Sequence, residues 1–338
     1  MNNSKALNLH AVNDLKYETV PIGAPAEDEV LLQVRSCGIC GSDIDRVYKK
    51  GTYHFPTVIG HEFSGKVAYD PLGKLDGKRV VVFPLLPCFK CDNCKKQSYA
   101  TCENYDYYGS RRDGGMSEYI CVKKWNLLSL PDELSFDEGA MCEPVSVARH
   151  AALKLGIKKG DSVLITGAGP IGLIVGQWAK LFGAGKVCYK DIDRRKTDFA
   201  KELGFSEYTN GEMFDCTLEG TGFSDALKIC LDAVKPCGTV VFMGNPAGDI
   251  ELIQNTYWQI LRKELNVRGT WNSSFSDVEN DWRESLFAMA EGKINVKPLI
   301  THRFPLSEGN KAFEFMRNKT EFFNKIILNM NGGECDEK

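Results

Sequence analysis

The chain has 338 residues, enough for two domains that each bury a core, and its 45 acidic and 42 basic side chains leave a net charge of −3 at pH 7. So even a balance offers no electrostatic footprint for nucleic acid or an anionic membrane surface, and no apolar run is long enough to span a bilayer. Thirteen cysteines, in a chain whose first 16 residues carry no apolar signal segment, point to reduced thiols and metal ligands and to a cytoplasmic location.

In chain order, the first part reads as β-rich and irregular. Residues 29–35 alternate apolar and polar side chains as a half-buried strand does, and so do 65–69, 79–83 and 118–122, with glycines and prolines between them. Directly after the first of these comes Gly38-Ile39-Cys40-Gly41-Ser42-Asp43, and 21 residues after Cys40 stands His61, followed by Glu62. Cys142-Glu143-Pro144 lies further on. One thiolate, one imidazole and one or two carboxylates make a zinc site that keeps a position open for water or substrate. Cys40, His61 and Glu143 are the expected ligands, and Glu62 is either a ligand exchanging with Glu143 or a carboxylate close behind. Asp43 is expected to orient His61 by accepting its other ring N–H. Cys37 is expected to be a packing residue, because the ligand set is complete without it.

Cys88, Cys91, Cys94 and Cys102 read C-x2-C-x2-C-x7-C on a loop marked by Pro84, Pro87, Asp92 and Asn93. Four closely spaced thiolates suit a tetrahedral structural zinc, here in a lobe over 86–104. A ferredoxin-type run would close with a three-residue gap and a proline, whereas Glu103 follows the seven-residue gap here. Arg111 and Arg112, in a glycine-rich loop, suit bidentate phosphate recognition, with a solvated or salt-bridged pair as the alternative.

From about residue 145 the pattern changes to strands alternating with helices: 145–155 helix, 162–166 strand, 171–182 helix, 186–189 strand, 195–203 helix, 213–218 strand, 224–234 helix and 239–243 strand. That alternation predicts an α/β unit with a parallel sheet and helices on both faces. The stretch 205–214 is too short for a crossover helix, so one element there is expected to be a turn. Gly167-Ala168-Gly169-Pro170-Ile171-Gly172 is a G-x-G-x-x-G between strand and helix: Gly167 for the turn, Gly169 for close approach of a pyrophosphate, Gly172 for helix–strand packing. The helix N-terminus offers N–H groups to phosphate, and Pro170 is compatible with its first turn. Asp191, 19 residues after Gly172, is placed to accept from ribose hydroxyls, with Lys196 beside it. The acid favours NAD over NADP, although Arg194 and Arg195 stand close. Met243, Asn245, Thr270 and Trp271 are candidate wall residues for the nicotinamide, and Lys325 is a candidate for its pyrophosphate or ribose. The expected division is 1–150 with 290–338, and 151–289, with a disordered tail over 331–338.

Together the GICGSD, GHE and EPVSVARH stretches, the four-cysteine loop and the glycine-rich turn resemble the zinc-dependent medium-chain alcohol dehydrogenases over nearly the whole chain. The similarity falls in the branch of sorbitol, threonine and galactitol-1-phosphate dehydrogenases, and 83–89, 108–115 and 260–265 are most similar to the last of these. The resemblance implies a GroES-like β-rich catalytic domain interrupted by a Rossmann doubly wound coenzyme domain, with the active site in the cleft between them. It also implies two zinc ions and NAD per subunit, a homodimer or homotetramer, and oxidation of a secondary alcohol of a polyol or polyol phosphate, with Ser42 passing the hydroxyl proton outward. An L-threonine 3-dehydrogenase type or another sorbitol-like enzyme is the alternative within the family, and a non-enzymatic NAD-binding protein is the alternative outside it. Asp45 stands where some relatives carry a relay histidine, and Asn272 and Ser273 where sorbitol dehydrogenases contact polyol through arginine and tyrosine.

Overall fold

The alternation at 29–35 extends into strand Glu29–Gly38, the centre of a seven-stranded sheet in the computed structural model, which describes residues 3–246 and 248–330. The tail 331–338 lies outside the described residues. Two compact units emerge, Met1–Glu143 with Ser274–Lys338, and Pro144–Ser273.

In the first unit the sheet runs Leu127–Ser129, Arg79–Val82, Glu62–Tyr69, Glu29–Gly38, Lys325–Asn329, Ile300–Pro305, and Tyr119–Lys123 also pairs with the central strand. The register sets Gly38 opposite Glu62 on one side and Ile327 on the other, both antiparallel. Three strand ends thereby meet where Cys40, His61-Glu62 and Lys325 stand. Leu7, Leu9, Val30, Leu32, Val34, Phe63, Phe313 and Ile326 form the buried core beneath, each contributing roughly 1.5–3 kcal/mol of transfer free energy.

Residues 274–289, expected with the coenzyme domain, lie in this unit. The reason is aromatic packing. Phe275 stacks on Phe83 with ring centroids 4.3 Å apart, and Trp282 meets Phe83 edge-on at 5.4 Å. Trp125 meets Phe275 at 5.0 Å. Such pairs add about 0.5–1.5 kcal/mol each beyond their burial. Helix Asp281–Ala290 begins there, its first turn capped by Asn280, which accepts from the Arg283 N–H.

In the second unit six parallel strands order themselves Ser206–Glu207, Lys186–Lys190, Ser162–Thr166, Phe214–Glu219, Val234–Phe242, Asn266–Gly269. In chain order this is 3-2-1-4-5-6, the arrangement of the Rossmann sheet. The short stretch expected to lose an element holds only the two-residue strand Ser206–Glu207 and a turn before Phe214. Among the described residues no helix is long and apolar enough to cross a membrane.

Candidate active site and metal centres

Cys40 follows the central strand and caps the short helix Gly41–Asp45, while His61 and Glu62 stand at the start of the neighbouring strand. Ligand atoms of Cys40, His61 and Glu62 lie within 4.8 Å of one another. Glu143, in the first turn of helix Cys142–Leu155, is outside that set of three; its carboxylate lies 3.5 Å from the Tyr107 hydroxyl. Burial, opposed by His61 and reinforced by Glu62, raises its carboxyl to about 7. Cys37 is buried with its thiol donating to the Gly38 carbonyl, a packing role.

Asp43 is fully buried. Its Oδ2 accepts from the Cys40 N–H at 3.0 Å, and its Oδ1 accepts from Arg46 Nη1 at 2.8 Å and lies 3.3 Å from His61 Nδ1. Burial opposes ionisation of Asp43, but the charge and hydrogen bond of His61, the Arg46 charge and the Cys40 N–H together outweigh it and hold the carboxyl at about 2. Conversely burial disfavours a charged His61, and Asp43 with Cys40 overrides this, raising the ring well above its ordinary value. A ring driven so strongly to carry charge marks a pocket of excess negative potential, the condition in which a divalent cation displaces a proton. With Nδ1 turned to Asp43, Nε2 is the ring nitrogen left to face a metal. Glu62 Oε1 is buried without a hydrogen-bond partner among the described residues, an acceptor that a metal satisfies.

Lys325, considered from sequence for the cofactor's pyrophosphate or ribose, is buried against this site instead. Its ammonium pairs with Glu62 Oε2 and donates to the Ile39 carbonyl. Gly38 makes the approach possible, since a Cβ there would sit 2.1 Å from Glu62 Oε2. Arg46 was also missed. Its Nη1 donates to both Ser42 Oγ and Asp43 Oδ1 at 2.8 Å, and the i,i+4 spacing from Ser42 was its only sequence signal. Tyr107, whose ring lies 5.7 Å from that of His61, had none. Asp45, at the position of a relay histidine, pairs with Lys49 at 3.0 Å.

The four lobe cysteines gather within the same 4.8 Å limit. Cys88 and Cys94 sulfurs are 3.9 Å apart, and Cys91 and Cys102 sulfurs 4.0 Å. A tetrahedron with Zn–S of about 2.3 Å has edges of about 3.8 Å, so the cage fits zinc. Backbone N–H groups of Lys90 and Cys91 point at Cys88 Sγ and bring that thiol down to about 6, ready to ligate. Arg112 Nη1 lies 3.6 Å from Asp106 Oδ2, whereas Arg111 stacks against Tyr53 and Tyr105.

On the second unit the glycine-rich turn follows strand Ser162–Thr166, with Gly169 capping helix Pro170–Leu181, Pro170 as its first residue, and Ile171 and Gly172 next. A Cβ on Gly169 would meet nothing within 4 Å, so the space a pyrophosphate needs is open and the cradle fits the cofactor. Asp191 Oδ2 accepts from the Ala168 N–H at 2.8 Å and Oδ1 from the Asp193 N–H at 2.9 Å, tying the acid to the turn. Lys196 lies on the following helix, Arg194–Glu202. Met243 and Asn245 follow strand Val234–Phe242, and Thr270 and Trp271 follow Asn266–Gly269, at the carboxyl ends where open α/β sheets bind ligands. Thr270 Oγ1 is buried without a partner among the described residues, and Trp271 is exposed.

The alcohol dehydrogenase GroES-like domain family matches residues 26–132, and the zinc-binding dehydrogenase family matches 170–291. Galactitol 1-phosphate 5-dehydrogenase of Escherichia coli (strain K12) is 36% identical over 296 residues, 82% of this chain and 86% of that protein. The chain belongs to the zinc-dependent medium-chain dehydrogenases. It is therefore an oxidoreductase of the zinc-binding alcohol and polyol dehydrogenase family. Sorbitol dehydrogenase of Bombyx mori is 31% identical over 357 residues, 98% of this chain and 99% of that one. The crystal structure of the Escherichia coli galactitol-1-phosphate dehydrogenase superposes with a TM-score of 0.88 at 32% identity, over 96% of this chain and 100% of that one. A short chain alcohol dehydrogenase of E. coli CFT073 complexed with NADH superposes equally, at 0.88 and 26% identity, over 98% and 100%.

Proposed function

We propose that this dehydrogenase oxidises a secondary hydroxyl of a polyol or polyol phosphate, galactitol 1-phosphate or a close analogue, to the ketone, with NAD as hydride acceptor. The observation that carries the reading is the convergence of Cys40, His61 and Glu62 beside the buried Asp43 and Lys325. Cys40 Sγ, His61 Nε2 and Glu62, with Glu143 able to exchange, would hold a zinc ion that would supply Lewis acidity toward the alcohol oxygen, and NAD would supply the hydride acceptor.

Around that chemistry the chain's own residues have separable parts. Asp43 keeps the His61 ring in one orientation. Lys325 balances the Glu62 charge so that two acids can share one small volume. Ser42 Oγ accepts the alcohol proton while passing its own hydroxyl proton to water, and Arg46, donating to the same oxygen, holds that hydroxyl in place. With Asp45 tied to Lys49, the proton leaves through Ser42 and water. NAD is favoured over NADP because Asp191 stands where a 2′-phosphate would come, Arg195 is paired with Asp193, and Arg194 with Asp198. A homodimer is supported by the exposed edge strand Asn266–Gly269 and by Tyr257, Trp258 and Leu261 on the helix before it, all exposed.

Following NADH absorbance with galactitol, sorbitol, their 1-phosphates and L-threonine tests the reading. Polyol phosphate is expected to give the highest kcat/KM and NADP+ a much lower one than NAD+. Turnover of L-threonine alone would move the enzyme to the amino-alcohol branch.

A further inference from the structure

We infer that Arg111 alone, clamped between Tyr53 and Tyr105, is the residue that recognises the anionic end of the substrate, and that its neighbour Arg112 is structural. The inference rests on the substrate reading above and divides a pair that the sequence presents as equivalent.

The two arginines have opposite surroundings. The Arg112 guanidinium is engaged by the Asp106 carboxylate and lies 5.1 Å from the ring of the buried Tyr108. Arg111 has no acid among the described residues. Its guanidinium carbon lies 4.1 Å from the Tyr53 ring centroid and 4.5 Å from that of Tyr105, and its Nε is buried without a hydrogen-bond partner among the described residues. Stacking on aromatic faces holds the planar cation without using its N–H groups. The donors on its edge stay available in a fixed fork, the geometry that meets two oxygens of a phosphate monoester.

The clamp is built, not incidental. The Arg111 N–H donates to the Tyr107 carbonyl at 3.0 Å, the Arg111 carbonyl accepts from His54 Nε2 at 3.0 Å, and the Tyr53 N–H donates to the Ser110 carbonyl at 3.2 Å. It is also linked to the metal-ligand cluster through one further tyrosine. Tyr105 meets Tyr107 edge-on at 6.2 Å, and Tyr107 faces His61 and Glu143. Two side chains, Tyr105 and Tyr107, thus join Arg111 to the wall beside the ligands, within one unit. An unneutralised, pre-oriented guanidinium at that place fits a polyol carrying a terminal phosphate and gives nothing to a neutral polyol.

The test compares zinc- and NAD-loaded parent, R111A, R111K and R112A with a hexitol and with its 1-phosphate, and separately titrates each with inorganic phosphate while following thermal unfolding. R111A is expected to raise KM for the ester about thirtyfold more than for the hexitol, with the loss in KM rather than kcat, the size of a lost charge-assisted hydrogen-bond pair. R111K should recover part of it, and R112A should change the ratio less than about threefold, since it touches no substrate in this reading. Equal effects of R111A on both substrates, or discrimination residing in R112A, would overturn the inference. If the parent oxidises neither compound, the substrate reading has failed, and the phosphate titration decides Arg111 by itself. Stabilisation of parent and R112A that disappears in R111A supports the clamp; equal stabilisation in all, or none in the parent, overturns it.

Discussion

Glu62 and Lys325 are 263 residues apart in the chain yet form an ion pair whose side chains are 1% and 4% exposed. Isolated charges at that depth are untenable, so each residue depends on the other. Removing the cation leaves the buried Glu62 carboxylate without a counter-charge whenever no metal is bound. Lys325→Ala is expected to cost about 3–5 kcal/mol of stability, the usual penalty for breaking such a pair from one side. Urea midpoints of parent and variant, both freed of zinc, measure it, and Lys325→Arg should restore most of the loss. A midpoint unchanged in Lys325→Ala would show that Glu62 is neutralised by other means. Arg46 belongs to the same scale, because one nitrogen of its guanidinium donates both to Ser42 Oγ and to the Asp43 carboxylate that lies 3.3 Å from His61 Nδ1.

Among the elements, the turn after strand Glu62–Tyr69 is organised by one carboxylate. Asp70 accepts from the N–H groups of Leu72 and Lys74 at 2.9 Å and of Leu75 at 3.0 Å, and pairs with Lys124 at 2.6 Å. Lys124 first, and the backbone donors after it, bring its carboxyl from 3.8 down to about 2. A folded value below the unfolded one means stability that is full above the unfolded value and lost as pH falls through the folded one. Asp70→Asn should therefore unfold earlier than the parent at pH 7, with the gap narrowing as pH drops from 3.8 toward 2, seen in urea midpoints at pH 7 and pH 3. The cysteine lobe is a second such element, held by sulfur geometry rather than by a core of its own. Cys94→Ser is expected to lower bound zinc from two ions to one and to reduce thermal stability, because a structural zinc contributes folding free energy directly. Atomic emission on the purified variant checks the stoichiometry; two ions retained would mean the lobe is not a zinc cage.

For the whole molecule, the exposed edge of the Rossmann sheet is the feature that a single chain leaves unsettled. Among the described residues strand Asn266–Gly269 pairs on one side, with Val234–Phe242, and Val267 on it is 39% exposed. If the proposed homodimer pairs through this edge, Val267→Lys is expected to give a monomer in light scattering at micromolar concentration, since a charge on an edge opposes strand-to-strand pairing. An unchanged mass would remove this edge from the interface.

The sequence by itself determined what depends on short spacing. Four cysteines a few residues apart can close one cage, G-x-G-x-x-G between a strand and a helix can open one cradle, and alternation of period two or 3.6 sets each element. The tertiary structure decided what depends on which distant strands become neighbours. Strand register brought Lys325 to Glu62, and aromatic stacking on Phe83 drew residues 274–289 into the first unit. An aspartate reached Arg112 while two tyrosines enclosed Arg111. Those contacts are set by packing across the chain, where the energy of a pairing depends on burial and partners that no local pattern contains.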